Sequence, residues 1–390
     1  MTFHSRAVWA EIDIVALKHN VSLLKRTFYP AELAAVVKAN AYGHGAIEVA
    51  KAAGRGGIKT FCVATVEEGA ELRDAGIDGQ VLVLMEPERE FIEDALLNDL
   101  TLTIYSVRAL LEVVAAWERI SKSGKVFPRP RVHIKVDTGM HRLGVTESEA
   151  LELAKLVKSS GVVFEGLSSH LAMADQGESG KGPTLEQIAR FERVATKLAT
   201  FNIRPQILHI ANTAGGISYP NARYDLVRAG IGLYGYLPSS EVNLVGLKPV
   251  LSLKARVSAL RRLQGGEAVS YGLRRRLERP SYIATVPIGY ADGVRRLLFD
   301  KGQDILIKGE RLPIAGTVTM DQTLIDCGDL EVLPGDEVVL LGRQGGENIT
   351  AVEWAESLGT IPYEVLTSLG SRVPRVYVRE DVTEKDTLYQ

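Results

Sequence analysis

Several residues able to hold charge or move a proton stand directly after apolar runs of this chain. In LAAVVKANAYGHG, residues 33 to 45, Leu33 to Val37 reads as a short buried strand rich in β-branched and small residues. Lys38 follows at its end, then small residues, Tyr42 and two glycines. Alone, the pattern says no more than that a strand has reached solvent. The pattern recurs, however. RVHIKVDTGMHRLG carries Lys135 and Asp137 and leads to Arg142, and VVFEGLSS ends at His170. A later run passes through His209 to Asn212 and Thr213, and LVRAGIGLYG holds Arg228 and Gly230.

The elements that would position these residues follow from the rhythm of the chain. Up to about residue 240, strand-like runs alternate with amphipathic helical segments such as ESEALELAKLVKSSG. The strands are expected over 33–37, 60–64, 80–84, 100–105, 131–136, 163–168, 206–210 and 224–228. Eight such alternations point to an α/β fold, an eight-stranded parallel (β/α)8 TIM-type barrel, with a doubly wound open sheet as the other arrangement of the same spacing. No G-x-G-x-x-G fingerprint follows the first strand, which disfavours a dinucleotide fold. In a barrel, the C-terminal ends of the strands form one mouth, so Lys38, Lys135, Arg142, His170, Asn212, Thr213 and Arg228 would gather there.

After residue 245 the texture changes to short alternating runs separated by Gly, Pro and Asp, which is the pattern of a mostly β C-terminal domain with one helix in TAVEWAESLG. The expected division is a barrel over 1–244 and a mostly β domain over 245–390. Hydrophobic residues at 46% and charged residues at 24% are ordinary globular values. A net charge of −2 gives no basic surface for nucleic acid or an anionic membrane. No run approaches the roughly 20 apolar residues of a spanning helix, and the opening MTFHSRAVWAEIDI has no signal-peptide pattern. Cys62 and Cys327, far apart, offer neither a disulfide framework nor metal-ligand spacing. The expectation is a cytoplasmic protein without a metal.

Many donors and few free carboxylates at one mouth suit an anionic ligand, because unpaired polar groups there are costly otherwise. The glycines of RAGIG and the small-residue turn ANTAGG suit a phosphate, to which backbone N–H groups can come close. A lysine beside a phosphorylated aldehyde suggests a Schiff base, and neighbouring cations such as Arg142 would lower its pKa from about 10.4. The cofactor that joins a phosphate to an aldehyde is pyridoxal 5′-phosphate.

AVVKANAYGHG resembles the lysine motif of the alanine racemases. The likeness runs the length of the chain through KVDTGMHRLG, SSHLA, HIANTAG, VRAGIGLYG, VSYG, PIGYADG, VTMDQ and IPYE. It implies a pyridoxal-phosphate-dependent isomerase that interconverts L- and D-alanine with two bases and supplies D-alanine for peptidoglycan. Lys38 would hold the cofactor aldehyde and serve as one base, and Tyr271 would act on the opposite face, since racemisation must remove a proton where another group returns it. Arg228 would meet the pyridine nitrogen, with His170 beside the ring. Arg142 would meet the ring oxygen and the substrate, and Lys135 is a candidate for carbamylation that would orient Arg142.

Phosphate contacts would come from Tyr42, Thr213, Gly230, Ile231 and Tyr363, with Asn212 counted among the cofactor-binding residues. Tyr290, Met320 and Asp321 would line the substrate site. The resemblance further implies a head-to-tail homodimer in which Tyr271 reaches the lysine of a partner subunit. Many family members carry Cys where this chain has Thr319 in VTMDQ, so a serine or broad-specificity racemase of the same fold is the alternative. A cofactor carrier without turnover is the non-enzyme alternative; it would need neither VSYG nor a β domain. Without the resemblance, Tyr271 reads as an ordinary strand tyrosine and His209 as a structural histidine.

Overall fold

Apolar runs too short for helices and buried on both faces become the strands of a parallel sheet. The computed structural model describes residues 6–122 and 128–379, and the chain divides into two units. The first strand, β1 (Val8–Asp13), belongs to the second unit. The barrel unit holds β2 (Glu32–Val36), β3 (Thr60–Val63), β4 (Gln80–Val83), β5 (Thr101–Ile104), β6 (Arg131–Lys135), β7 (Val163–Ser168), β8 (Ile207–His209) and β9 (Leu226–Ala229). Their hydrogen-bonded order is β8-β7-β6-β5-β4-β3-β2-β9. All of these neighbours are parallel, with Ala34 of β2 opposite both Thr60 and Arg228. The two end strands meet through Asp225 N–H to Leu208 O and Arg228 N–H to Ala211 O, both 3.1 Å. The result is the nearly closed barrel that the eight alternations imply, with each strand end within a residue or two of its expected place.

Local chemistry sets the helix starts between these strands. Ser106 accepts the Ala109 N–H at 3.0 Å at the head of the helix Val107–Ser121. Thr146 and Glu149 form a capping box for Glu147–Ser159. Among the described residues, no helix is long and apolar enough to cross a membrane.

The β unit takes in β1, residues 42–45 and the chain from Pro249. It contains β10 (Leu251–Arg256), β11 (Ala259–Leu263), β12 (Ala268–Val269), β13 (Arg275–Arg276), β14 (Ser281–Val286), β15 (Asp304–Ile307), β16 (Glu310–Pro313), β17 (Thr323–Gly328), β18 (Glu337–Gln344), β19 (Glu347–Ile349) and β20 (Arg375–Val378). One sheet runs β16-β15-β18-β10-β1-β20, and another β11-β14-β17. Sequence places the first residues with the barrel; β1 instead pairs antiparallel to β10 and parallel to β20, with Ala10 opposite Leu253 and Arg375. No local pattern could reveal this, because its partners lie 239 or more residues away. The run LSLKARVSALRRL reads as one segment but breaks after Arg256, so that β10 and β11 join different sheets. A second short helix, Pro362–Thr367, follows the expected Ala351–Leu358, with Pro362 supplying its first turn.

The turn after Lys38 is left-handed. Ala39, Asn40, Ala41 and Tyr42 all have φ of 52°, a conformation that costs L-residues roughly 1–2 kcal/mol each. Glu68 helps to hold it, one carboxylate oxygen accepting the Ala39 N–H and the other the Ala64 N–H, both at 2.7 Å. Asn40 Oδ1 accepts the Ala46 N–H at 2.8 Å. Ala39→Gly is expected to leave stability unchanged or raise it by about 1 kcal/mol, and Ala39→Val to lower it by about 2 kcal/mol. Urea unfolding midpoints check this, and equal midpoints for the two variants would refute strain at this turn.

Candidate active site

Four cations come from four places in the barrel unit. Lys38 follows β2, Lys135 ends β6, Arg142 lies in the loop after β6, and Arg228 lies within β9. Arg131, His133 and Lys135 alternate along β6 and so share one face, while Arg228 is only 5% exposed. Carboxylates are few here, and those present are engaged. Asp137 Oδ1 accepts the N–H groups of Gly139, Met140 and His141 at 2.9–3.1 Å, and Glu68 holds the left-handed turn.

Proton affinities respond to this imbalance. Burial lowers the Lys38 pKa, and the Arg142 charge lowers it further, against a raising pull from Glu68. Lys135 falls to about 8, mainly through burial and then through Arg228, Arg142 and Lys38. Burial and the Arg228 charge hold His170 and His209 well below the usual imidazole range. Both rings are therefore neutral at pH 7.

The loop carrying Arg142 is closed by Val145 N–H to Lys135 O and Asp137 N–H to Val145 O, both 2.9 Å. A small recess there is lined by Lys135, Asp137, Arg142, Ser169 and His170. The Arg228 guanidinium donates through Nη2 to Ser169 O at 2.7 Å, His170 Nδ1 at 3.1 Å and Ile210 O at 3.2 Å. Nη1 donates to His209 Nδ1. Of its five N–H groups, Nε–H and one Nη1–H have no acceptor among the described residues.

Thr213 is buried, and its hydroxyl accepts the Gly230 N–H at 3.1 Å. Asn212 caps the short helix Thr213–Ser218 by accepting the Gly215 N–H at 2.9 Å, so its side-chain oxygen is already engaged. The ANTAGG glycines serve packing. A Cβ on Gly215 would lie 2.7 Å from Leu171, and one on Gly216 would lie 2.6 Å from Val227. Ile231 is buried at the start of the turn Ile231–Tyr234.

The β unit carries the remaining candidates. Tyr271 is 72% exposed, and its carbonyl accepts from Thr317 Oγ1 at 3.1 Å. Ser270 and Leu273, with φ of 63° and 48°, make the turn around it a strained one. Thr319 Oγ1 donates to Gln322 O at 3.0 Å and accepts the Gln322 N–H at 3.1 Å, closing the turn that carries Met320 and Asp321. Met320 and Tyr290 are exposed, and Arg372 donates to Asp321 at 2.6 Å. The rings of Tyr42 and Tyr363 lie 5.8 Å apart.

Two barrel residues that motif reading misses, buried His133 and half-buried Glu165, form a hydrogen-bonded chain with His209 and Arg228. The period-2 placement of Arg131, His133 and Lys135 is the signal that could have found the first of them.

A strand-end lysine within a cluster of cations, on a parallel eight-stranded barrel followed by a mostly β unit, defines the class as a barrel protein with a basic site at its strand ends. Residues 12–238 match the family described as "Alanine racemase, N-terminal domain", and residues 250–377 match "Alanine racemase, C-terminal domain". The chain is 43% identical to an alanine racemase of Carboxydothermus hydrogenoformans, over 96% of this chain and 100% of that one. It is 41% identical to one from Clostridium tetani, over 97% of each. A solved alanine racemase from Bacillus anthracis with bound L-Ala-P superposes with a TM-score of 0.89 at 36% identity, covering 97% of both chains. One from Clostridium difficile 630 gives 0.88 at 36% identity, covering 96% of both. The chain belongs to the alanine racemase family.

Lys135 gives a pH prediction. Its native pKa of about 8 lies below the ordinary lysine value of about 10.4. Below both values the native state carries a penalty for the buried charge. Between them the unfolded chain binds more protons, so stability rises with pH. Lys135→Met is expected to be more stable than wild type at neutral pH, by up to about 3 kcal/mol, with the gap narrowing as pH rises from about 8 to about 10. Denaturant midpoints in carbonate-free buffer read this, and a gap independent of pH would contradict it.

Proposed function

We propose that this enzyme racemises alanine with pyridoxal 5′-phosphate, using Lys38 and Tyr271 as bases on opposite faces of the substrate α-carbon. The reading is carried by Lys38, an amine of lowered pKa at a strand end among cations that lack carboxylate partners. When bound, the cofactor supplies an aldehyde that condenses with amines and a ring that draws electrons from the adjacent carbon. The residues present fit it. Two free N–H groups of buried Arg228 suit a ring nitrogen that accepts, and Thr213 with Gly230 and Ile231 offers small, close backbone for the phosphate.

Lys38 Nζ takes the α-proton on one face or returns it, because an amine deprotonated nearer neutral pH can do both. Arg228 keeps all its protons, so it offers hydrogen bonds without protonating its ligand. Arg142 orients the ring oxygen and the substrate carboxylate. About a tenth of Lys135 is neutral at pH 7, given its pKa of about 8, which leaves an amine able to take up carbon dioxide. The resulting carbamate would place a negative charge beside Arg142. Tyr42 and Tyr363 complete the phosphate contacts, with Asn212 as the cap that fixes Thr213. Tyr290, Met320 and Asp321 shape entry and the substrate carboxylate site.

The 72% exposure of Tyr271 supports its use across a head-to-tail homodimer, where a partner subunit would cover it. Two buried free cysteines accord with a reducing cytoplasm, and D-alanine made there would serve peptidoglycan.

Incubation with L-alanine and cofactor in heavy water should yield D-alanine deuterated at the α-carbon, faster than the same exchange with serine. Unchanged, undeuterated L-alanine would sink the reading. Tyr271→Phe should keep the cofactor's visible absorption and lose about 100-fold or more in kcat; full activity would remove Tyr271 from its role.

A further inference from the structure

A chain of side chains, buried as far as His133 and half-buried at Glu165, leads from Arg228 towards the opposite, N-terminal end of the barrel strands. Arg228 Nη1 lies on His209 Nδ1, His209 Nε2 lies 2.7 Å from His133 Nδ1, and His133 Nε2 lies 3.1 Å from Glu165 Oε2. His133 and His209 are 0% and 1% exposed. Thr101 Oγ1, at 3.4 Å, and Gln80 Nε2 also donate to Glu165 Oε2, and Arg131 Nε lies 4.0 Å from Oε1.

The direction of every hydrogen bond follows from the two ends. A guanidinium can only donate, so His209 Nδ1 must be bare, and its proton sits on Nε2. That proton points at His133 Nδ1, which must therefore accept, leaving the His133 proton on Nε2. A carboxylate can only accept, and Glu165 receives that last proton. A cationic ring at either position would set N–H against N–H, or leave a charge beside Arg228. Burial keeps His133 and His209 below the ordinary imidazole range. Burial would raise the Glu165 pKa, but the hydrogen bonds from His133 and Thr101 and the Arg131 charge outweigh it.

We propose that Glu165 is a positioning residue for the reaction, closing the far end of the chain so that His133 and His209 keep these tautomers and His209 Nδ1 joins Ser169 O, Ile210 O and His170 Nδ1 in holding Arg228 against its ligand. The chain carries no mobile proton, since neither end can reverse. Its function is orientation together with a counter-charge for a buried guanidinium. Gly166 belongs to it as well: a Cβ there would fall 2.4 Å from His133 Cε1 and Nδ1, so only glycine leaves room for the ring. This rests on the reading of Arg228 as the cofactor-facing guanidinium.

The test is a long-range nitrogen–proton correlation spectrum of the histidine-labelled full-length enzyme, with rings assigned through their own Cβ resonances. Wild type is expected to show His133 and His209 neutral and protonated on Nε2, unchanged from about pH 6 to about pH 9. An Nδ1–H tautomer or a cation at either ring overturns the proposal. Glu165→Gln, which keeps an accepting oxygen but no charge, should lower kcat about 10-fold with KM nearly constant. Wild-type kcat in that variant also overturns it. Gly166→Ala should move the His133 ring signals and lower kcat similarly while Glu165 stays intact. The tautomers are read without turnover, so an enzyme that fails to racemise alanine would refute the proposed function and still decide the chain.

Discussion

A guanidinium buried among the barrel strands is the constraint from which the site follows. Arg228 cannot shed its charge, although burial lowers its pKa to about 10, so its surroundings must satisfy it. They do so with acceptors on one side only: Ser169 O, Ile210 O, and the bare nitrogens of His170 and His209. Those acceptors are good only while both rings stay neutral. The same positive charge that needs them also suppresses their protonation. The nearby lysines lose proton affinity mainly through burial, with the neighbouring cations adding to it.

Strand geometry converts this field into chemistry. Lys38 is placed by the end of β2 and held by a left-handed turn whose small residues limit its cost. The two carboxylates near enough to neutralise the cations are taken up by backbone N–H groups, Glu68 at Ala39 and Ala64, and Asp137 at its own loop. Glu68 still pulls the Lys38 pKa upward and Asp137 that of Lys135, but burial and the neighbouring cations outweigh them. Engaging both carboxylates in turns keeps them from forming direct ion pairs with these lysines.

The β unit treats its tyrosine differently. Tyr271 sits on a strained turn tied by Thr317 and is left largely exposed. The Thr319 hydroxyl donates to the Gln322 carbonyl and accepts the Gln322 N–H, so this residue serves the shape of the Met320–Asp321 turn.

Much of this was legible in the sequence. Strand–helix alternation gave the eight barrel strands because parallel strands buried on both faces are short, apolar and separated by helices of regular length. Lys38, Lys135, His170 and Arg228 stood out as polar residues where apolar runs end, and the motifs around them specified the family. What sequence could not supply was pairing at long range. β1 joins β10 and β20, and a six-residue alternating strand carries no mark of partners that far along the chain. The chain from Arg228 to Glu165 was equally hidden, since its members come from four separate strands and its histidine tautomers are set by contact alone. Local order follows from periodicity and turn residues; which donor meets which acceptor is decided only when the strands close into a barrel.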